Sequence, residues 1–470
     1  MNIQRQTSAP ERIFTPGLAQ VAYLVADATA GVVAVIDPRR DIDAYLDWAN
    51  AHGVRIAAIL ETHVHADFVS GARELAAATG APIYASRLGH EEFAHTPLDD
   101  GDEIPVGALR LRAFFTPGHT PEHLSDLLFD PAHGDQPRAL FSGDSLFGGD
   151  VGRPDLLGAA APRGQADQLY HTVVDRLAAL PDDVIVYPGH TAGSACGKKI
   201  GDAPSTTIGQ EKLVNYAFHA RSEEDFIARI LADMPPPPTY YPVLKRINKV
   251  GATPLADLPT GDALTPEAVA TRQAAGTLVI DARTPAAFGA GHLPGAIFAG
   301  LGPDFLAWLG WLAPYDREII LVLDHDEAFA EARTELRRIG LDRVGGYLAG
   351  GIDSWHRAGR EVATLPQLTV QELQERLSGG APLAVLDVRG DDEWASGHIA
   401  GASHTFAGLI AQGADIPLDG DAGPIAAICG SGYRSSVANS LLQARGRRNL
   451  VNVIGGMAAW RATDLPTTED

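Results

Sequence analysis

Thr62-His63-Val64-His65-Ala66-Asp67-Phe68 decides how this chain is read. It follows the apolar run Ile56-Ala57-Ala58-Ile59-Leu60, a buried-strand pattern, and precedes Gly71-Ala72-Arg73-Glu74-Leu75, a helix start. Two histidines one residue apart, with an aspartate two further on, bring nitrogen and oxygen donors close together, a set suited to zinc or iron. Three later segments extend the pattern: Thr116-Pro117-Gly118-His119-Thr120, Phe141-Ser142-Gly143-Asp144-Ser145 and Tyr187-Pro188-Gly189-His190. Each follows a strand-like run and carries a potential ligand.

In this order and spacing the four segments resemble the metallo-β-lactamase superfamily, whose usual first motif is His-x-His-x-Asp-His. Phe68 stands in the last place. In the resembled two-metal hydrolases, typified by glyoxalase II, that histidine holds the second metal, and phenylalanine has no donor to replace it. The resemblance to persulfide dioxygenases implies one Fe(II) per chain on His63, His119 and Asp144, with open positions for substrate and dioxygen. It sets His65, Asp67 and His190 around these ligands as groups that orient them by hydrogen bonds; a vestigial half-site is the competing view. Arg153, ending the glycine-rich run Gly148-Gly149-Asp150-Val151-Gly152, would hold Asp155 or an anionic part of a thiol carrier, with a turn arginine as the alternative. Tyr187 would donate into the same pocket, with strand packing as the alternative. Phe68 as core beside an ordinary zinc hydrolase site is the competing reading of the whole centre. His123, His90, His95 and His133 are expected to be loop structure.

A formal net charge of −22 over 470 residues argues against a nucleic-acid surface. No apolar run is long enough for a membrane span, and Met1-Asn2-Ile3-Gln4-Arg5-Gln6 lacks the apolar core of a secretion signal. The two cysteines, Cys196 and Cys429, make no disulfide framework. A soluble cytoplasmic enzyme is the expectation. Cys196, with Lys198 and Lys199 behind it, is read as structural, with an activated thiol as the alternative.

Alternating strand and helix signals up to the stiff spacer Met234-Pro235-Pro236-Pro237-Pro238 fit an αββα sandwich over residues 1–250. The remainder repeats itself. Leu278-Val279-Ile280-Asp281-Ala282-Arg283 and Gly291-His292 recur as Ala384-Val385-Leu386-Asp387-Val388-Arg389 and Gly397-His398; Gly350-Gly351 with Trp355 recurs as Gly455-Gly456 with Trp460. Two α/β units follow, at 251–363 and 364–470, with Asp281 and Asp387 read as fold-stabilising carboxylates. They resemble the rhodanese fold, in which a strand ends in a catalytic cysteine. The second unit has Cys429-Gly430-Ser431-Gly432-Tyr433-Arg434 opening a helix, so that backbone N–H groups with Arg434 can cradle a sulfur anion or a cysteine persulfide. The first unit has Asp324 for the cysteine and Phe329 for the arginine, and is read as catalytically dead, retained for packing or spacing.

The chain therefore resembles fusions of persulfide dioxygenase with tandem rhodanese domains. That resemblance implies oxidation of a low-molecular-weight thiol persulfide, on glutathione, coenzyme A or a similar carrier, by O2 to sulfite. Sulfur transfer through Cys429 would follow, giving thiosulfate, in a homo-oligomer without nucleic-acid or membrane partners. A glyoxalase-II-like thioester hydrolase with an accessory rhodanese module is the alternative.

Overall fold

The computed structural model describes residues 9–156, 162–418 and 423–469; the Met1–Gln6 stretch lies outside them. Six strands form a first sheet in sequence order: β1 (Glu11–Thr15), β2 (Gln20–Asp27), β3 (Val32–Ile36), β4 (Arg55–Leu60), β5 (Ile83–Ser86) and β6 (Thr96–Leu98). A second sheet runs β12-β11-β10-β9-β8-β7, from β7 (Glu103–Val106), β8 (Leu109–Phe115), β9 (Leu124–Phe129), β10 (Ala139–Gly143), β11 (Ile185–Pro188) and β12 (Thr206–Thr207).

Period-two alternation makes this a sandwich. Val21, Tyr23 and Val25 of β2 meet Leu109, Leu111, Ala113 and Phe141 of the other sheet in one core. Ala22 and Leu24, on the opposite face of β2, pack with Tyr45, Ala49 and Leu75 of the helices Asp43–His52 and Ala72–Thr79. Leu127, Leu140 and Val186 likewise cover Leu169 and Phe226 of the helices Pro162–His171 and Glu223–Leu231. Helices thus lie outside two facing sheets, the αββα architecture that the patterning predicts.

The repeats form two parallel sheets: β13-β17-β16-β14-β15, from β13 (Asp262–Leu264), β14 (Leu278–Asp281), β15 (Ile297–Phe298), β16 (Ile319–Val322) and β17 (Val344–Leu348); and β18-β22-β21-β19-β20, from β18 (Gln367–Leu368), β19 (Ala384–Asp387), β20 (Ser403–His404), β21 (Ile425–Ile428) and β22 (Leu450–Val453). Asp281 and Asp387 end corresponding strands. Each pairs with the buried arginine two residues on, at 2.6 Å, and that arginine also donates to the Gly291 or Gly397 carbonyl.

The chain divides into two compact units, Met1–Leu258 with Arg337–Gly340, and Pro259–Leu336 with Leu341–Asp470. The second unit holds the second repeat and, apart from the residues up to Leu258 and Arg337–Gly340, the first repeat as well. The two repeats share a core: Phe288, Phe298 and Trp308 of the first pack with Leu365, Leu386, Val388, Cys429 and Val437 of the second. Among the described residues no helix is long and apolar enough to cross a membrane.

Candidate metal centre and thiol site

The ligand candidates sit where strands of the sandwich end: His63 beyond β4, His119 between β8 and β9, Asp144 after β10 and His190 after β11. His63 Nε2, His119 Nε2 and Asp144 Oδ2 are buried and without hydrogen-bond partners, and the three side chains offer ligand atoms within 4.8 Å of one another. Asp144 Oδ2 lies 3.9 Å from His63 Nε2 and 3.4 Å from His119 Nε2. Buried polar atoms left unpaired are costly, and two imidazole nitrogens converging with a carboxylate oxygen fit a divalent ion.

The surroundings fix which imidazole nitrogen is free. His119 Nδ1 is 3.0 Å from the Arg153 carbonyl, which can only accept, so the proton sits on Nδ1 and Nε2 keeps its lone pair. Thr62 Oγ1 donates to Asp37 Oδ2 at 2.8 Å, leaving its lone pair for the His63 Nδ1–H at 2.9 Å. Burial, then the charge of His65, holds His63 well below the usual imidazole range, and burial does the same for His119. Both stay neutral, as a metal ligand must. His123 accepts the Asp144 backbone N–H at 3.0 Å and meets Thr116 Oγ1 at 2.9 Å, and burial lowers it to about 3. It lies in the loop between β8 and β9, as expected, and its buried ring positions Asp144. Asn248, on the helix Tyr241–Val250, donates to the His65 and Phe68 carbonyls at 2.8 and 2.7 Å and fixes the motif loop.

Close approach requires glycine at two points. A Cβ on Gly152 would lie 2.0 Å from the Asp144 carbonyl, and one on Gly189 2.7 Å from Asp144 Oδ1.

His65 lies beside His63, ring centroids 4.2 Å apart, but its Nε2 is taken by Asp37 Oδ1 at 3.1 Å and Glu61 Oε2 at 3.4 Å. Burial opposes its charge, yet Asp37 lifts it to about 9. Asp37 thus serves His65 directly and His63 through Thr62. His190 Nε2 faces Asp67 Oδ2 at 3.3 Å and Asp144 Oδ1 at 3.5 Å, so the two oxygens of Asp144 look to different neighbours. Cys196 joins Asp67 and His190, their ligand atoms within 4.8 Å of one another. Its two lysines do not activate it: Lys198 donates to the Arg229 carbonyl, and burial pushes the thiol well above its usual range. Only folding brings Cys196 here; nothing in its local sequence marks it.

Two expectations need correction. Tyr187 lies on the inward face of β11, ring centroids 5.4 Å from Phe141 and 5.5 Å from Tyr23. It lines a cavity of about 140 Å³ with Arg138 and Asp130, and none of the metal-centre residues takes part. Strand alternation turned it into the core. The Arg153 side chain is fully buried and spends its donors on Asp155, at 2.7 and 2.8 Å, and on the Ala195 and Pro235 carbonyls. Holding Asp155 is one of the roles expected of it; contact with a carrier is not, and toward the centre it offers only its carbonyl.

In the other unit Cys429 follows β21, buried, with Sγ 3.1 Å from the Gly432 N–H and 3.5 Å from Ser435 Oγ. The N-terminal end of the helix Gly456–Ala462 takes the outward carbonyls of this loop: Met457 N–H bonds Cys429 O at 2.7 Å, Ala458 N–H bonds Gly430 O and Gly455 N–H bonds Ser431 O. Gly456 has no alternative, since a Cβ there would come 2.3 Å from Cys429 O. Arg434 is paired with Glu393, its Nη2 2.7 Å from Oε1, a partner that sequence reading did not anticipate. In the first repeat Asp326 accepts the Gly350 N–H at 3.0 Å and Phe329 packs on Tyr347.

Residues 15–190 match the metallo-beta-lactamase superfamily, and residues 265–358 and 369–463 match the rhodanese-like domain. The crystal structure of a metallo-beta-lactamase from Staphylococcus aureus subsp. aureus COL is 35% identical with a TM-score of 0.66, covering 73% of this chain and 98% of that one. A beta-lactamase hydrolase-like protein from Agrobacterium fabrum is 30% identical over 48% of this chain, and a hydroxyacylglutathione hydrolase from Polaromonas sp. 37% identical over 38% of it. The chain spans 56% and 65% of the lengths of these two curated relatives.

Proposed function

Because the chain belongs to the metallo-beta-lactamase superfamily and carries two rhodanese-like domains behind that part, we propose that it is a persulfide dioxygenase coupled to a sulfurtransferase. The observation that carries this reading is Phe68. It is fully buried, its ring 4.3 Å from that of His65, at the motif position where the two-metal hydrolases have a ligand. His63, His119 and Asp144 are then a three-donor set that leaves coordination positions for substrate and dioxygen.

Bound Fe(II) would supply the redox chemistry by which a thiol persulfide, O2 and water give the carrier thiol, sulfite and protons. The chain's residues provide the rest. Thr62 with Asp37, and the Arg153 carbonyl, keep protons on the two Nδ1 atoms and so present both Nε2 lone pairs. His123 holds the backbone of Asp144. The buried walls exclude bulk water. At Cys429 the thiolate attacks the outer sulfur of a second persulfide, forming an S–S bond and releasing the carrier thiol. Sulfite then takes that sulfur, the new S–S bond breaks, and thiosulfate leaves with the thiol restored. A small carrier such as glutathione or coenzyme A, a homo-oligomeric state and a cytoplasmic setting belong to the same reading.

Metal content and oxygen consumption on glutathione persulfide test it: one iron per chain with O2 uptake is expected, whereas tightly bound zinc, thioester turnover and no O2 uptake would overturn it. A thioester hydrolase is the second reading. The likeness to the hydroxyacylglutathione hydrolase favours it, as does Cys196 beside Asp67 and His190, a sulfur donor that could complete a second set of ligands.

A further inference from the structure

The first rhodanese-like repeat has no thiol at its loop, yet it is in contact with the start of the helix that follows Cys429. Tyr433, the residue after Gly432, donates its hydroxyl to the Gly300 carbonyl of the first repeat at 2.9 Å. Its ring meets that of Phe298 edge-on, centroids 5.2 Å apart and planes at 64°. Burial, then the charge of Asp304, keeps the phenol firmly protonated and so a donor.

The acceptor is rigid. On either side of Gly300, the Ala299 and Leu301 N–H groups bond the Asp281 and Ala282 carbonyls of the first repeat, at 3.0 and 2.9 Å. Gly300 itself admits no side chain, since a Cβ would lie 2.8 Å from the Arg283 carbonyl. Tyr433 directly follows Gly432, whose φ is +105° and whose N–H reaches Cys429 Sγ. The Gly432 N–H belongs to the Ser431–Gly432 peptide, so a shift of the Tyr433 backbone reaches it through the φ and ψ of Gly432, which carries no side chain to resist it.

We propose that the first repeat is the positioning half of the sulfur-transfer site: through the Gly300 carbonyl and the Phe298 ring it holds Tyr433, and through Tyr433 it aims the Gly432 N–H at Cys429. The proposal rests on Cys429 being the sulfur carrier. Tyr433 and Gly300 act through the cradle rather than on the reacting sulfur, and the dead repeat is kept for what it holds.

The test uses the full chain with glutathione persulfide as donor and cyanide as acceptor. Cys429 takes the outer sulfur, releasing glutathione, and cyanide removes it as thiocyanate, which is measured. Tyr433→Phe removes one hydroxyl bond and keeps the ring; kcat should fall roughly three- to tenfold while KM for the persulfide stays within about twofold. Gln367→Met is the control. It cuts another bond between the repeats, Gln367 Nε2 to the Pro285 carbonyl at 2.8 Å, at β18, two strands from the Cys429 strand. It should leave kcat unchanged. A Tyr433→Phe enzyme with wild-type kcat overturns the proposal, and so does an equal fall in both variants, which would mean that general docking of the repeats matters. Cys429→Ser separates the two levels: thiocyanate formation surviving that change removes the carrier itself, whereas its loss together with a normal Tyr433→Phe enzyme removes only the positioning role.

Discussion

Phe68→His asks whether one side chain decides the metal count. Phe68 is wholly buried, and Asn248 fixes its carbonyl at 2.7 Å, so the backbone should hold when the ring is replaced. An imidazole without a partner in that slot costs about 1–3 kcal/mol. At about 2–4 °C per kcal/mol for a unit of this size, the variant without added metal should melt about 2–12 °C below the wild type. Asp67 has both carboxylate oxygens buried without hydrogen-bond partners and faces His190, so the new imidazole has company for a second ion. Zinc at a hundred times its dissociation constant would return about 2.7 kcal/mol, or about 5–11 °C. The assay is a thermal scan with and without zinc, with metal analysis on the same samples. The wild type should hold one ion and the variant two. A wild type that already binds two ions refutes the single-centre argument, and a variant that never exceeds one shows that Asp67 and His190 are not placed to share it.

Asp144→Ala removes the only oxygen of the three-donor set, and metal content and O2 uptake should both be lost; retained metal would locate the ion elsewhere. Cys429→Ser should leave O2 uptake intact and shift the product from thiosulfate to sulfite, as ion chromatography can read; an unchanged product would exclude Cys429 from the scheme. Cys196→Ser should leave one metal per chain, and loss of an ion would identify Cys196 as a ligand. Burial holds the Asp126 carboxyl well above the ordinary range, so the folded chain keeps a proton that the unfolded chain releases near pH 4. Stability from that group is full at acid pH and falls as pH rises toward the folded value. Asp126→Asn should therefore raise the melting midpoint at pH 8 relative to the wild type and leave it unchanged at pH 4; equal shifts at both would contradict the sign.

Much of the fold and part of the centre could be read without coordinates. His63, His119 and Asp144 each follow an apolar strand run, and strand ends in facing sheets bring such residues to one edge. That Phe68 offers no donor atom, and Asp324 in the first repeat no thiol, needed only residue chemistry. Tyr187 could have been placed by stricter use of the same alternation: in β11 it lines one cavity with Ile185, while Val186 packs toward the helices.

The amino-acid order by itself determined which donors exist, which strands they follow and which repeat lacks a thiol, because ligation and periodicity are properties of residue type and local spacing. The tertiary structure alone decided where side chains turn and what comes from far away. Asn248 closes the motif loop from 180 residues along the chain, Arg153 turns to Asp155 and two carbonyls, and Gly300 reaches Tyr433 across the two repeats. Such contacts depend on rotamer direction and on packing between distant segments, and neither leaves a period or a motif in the sequence.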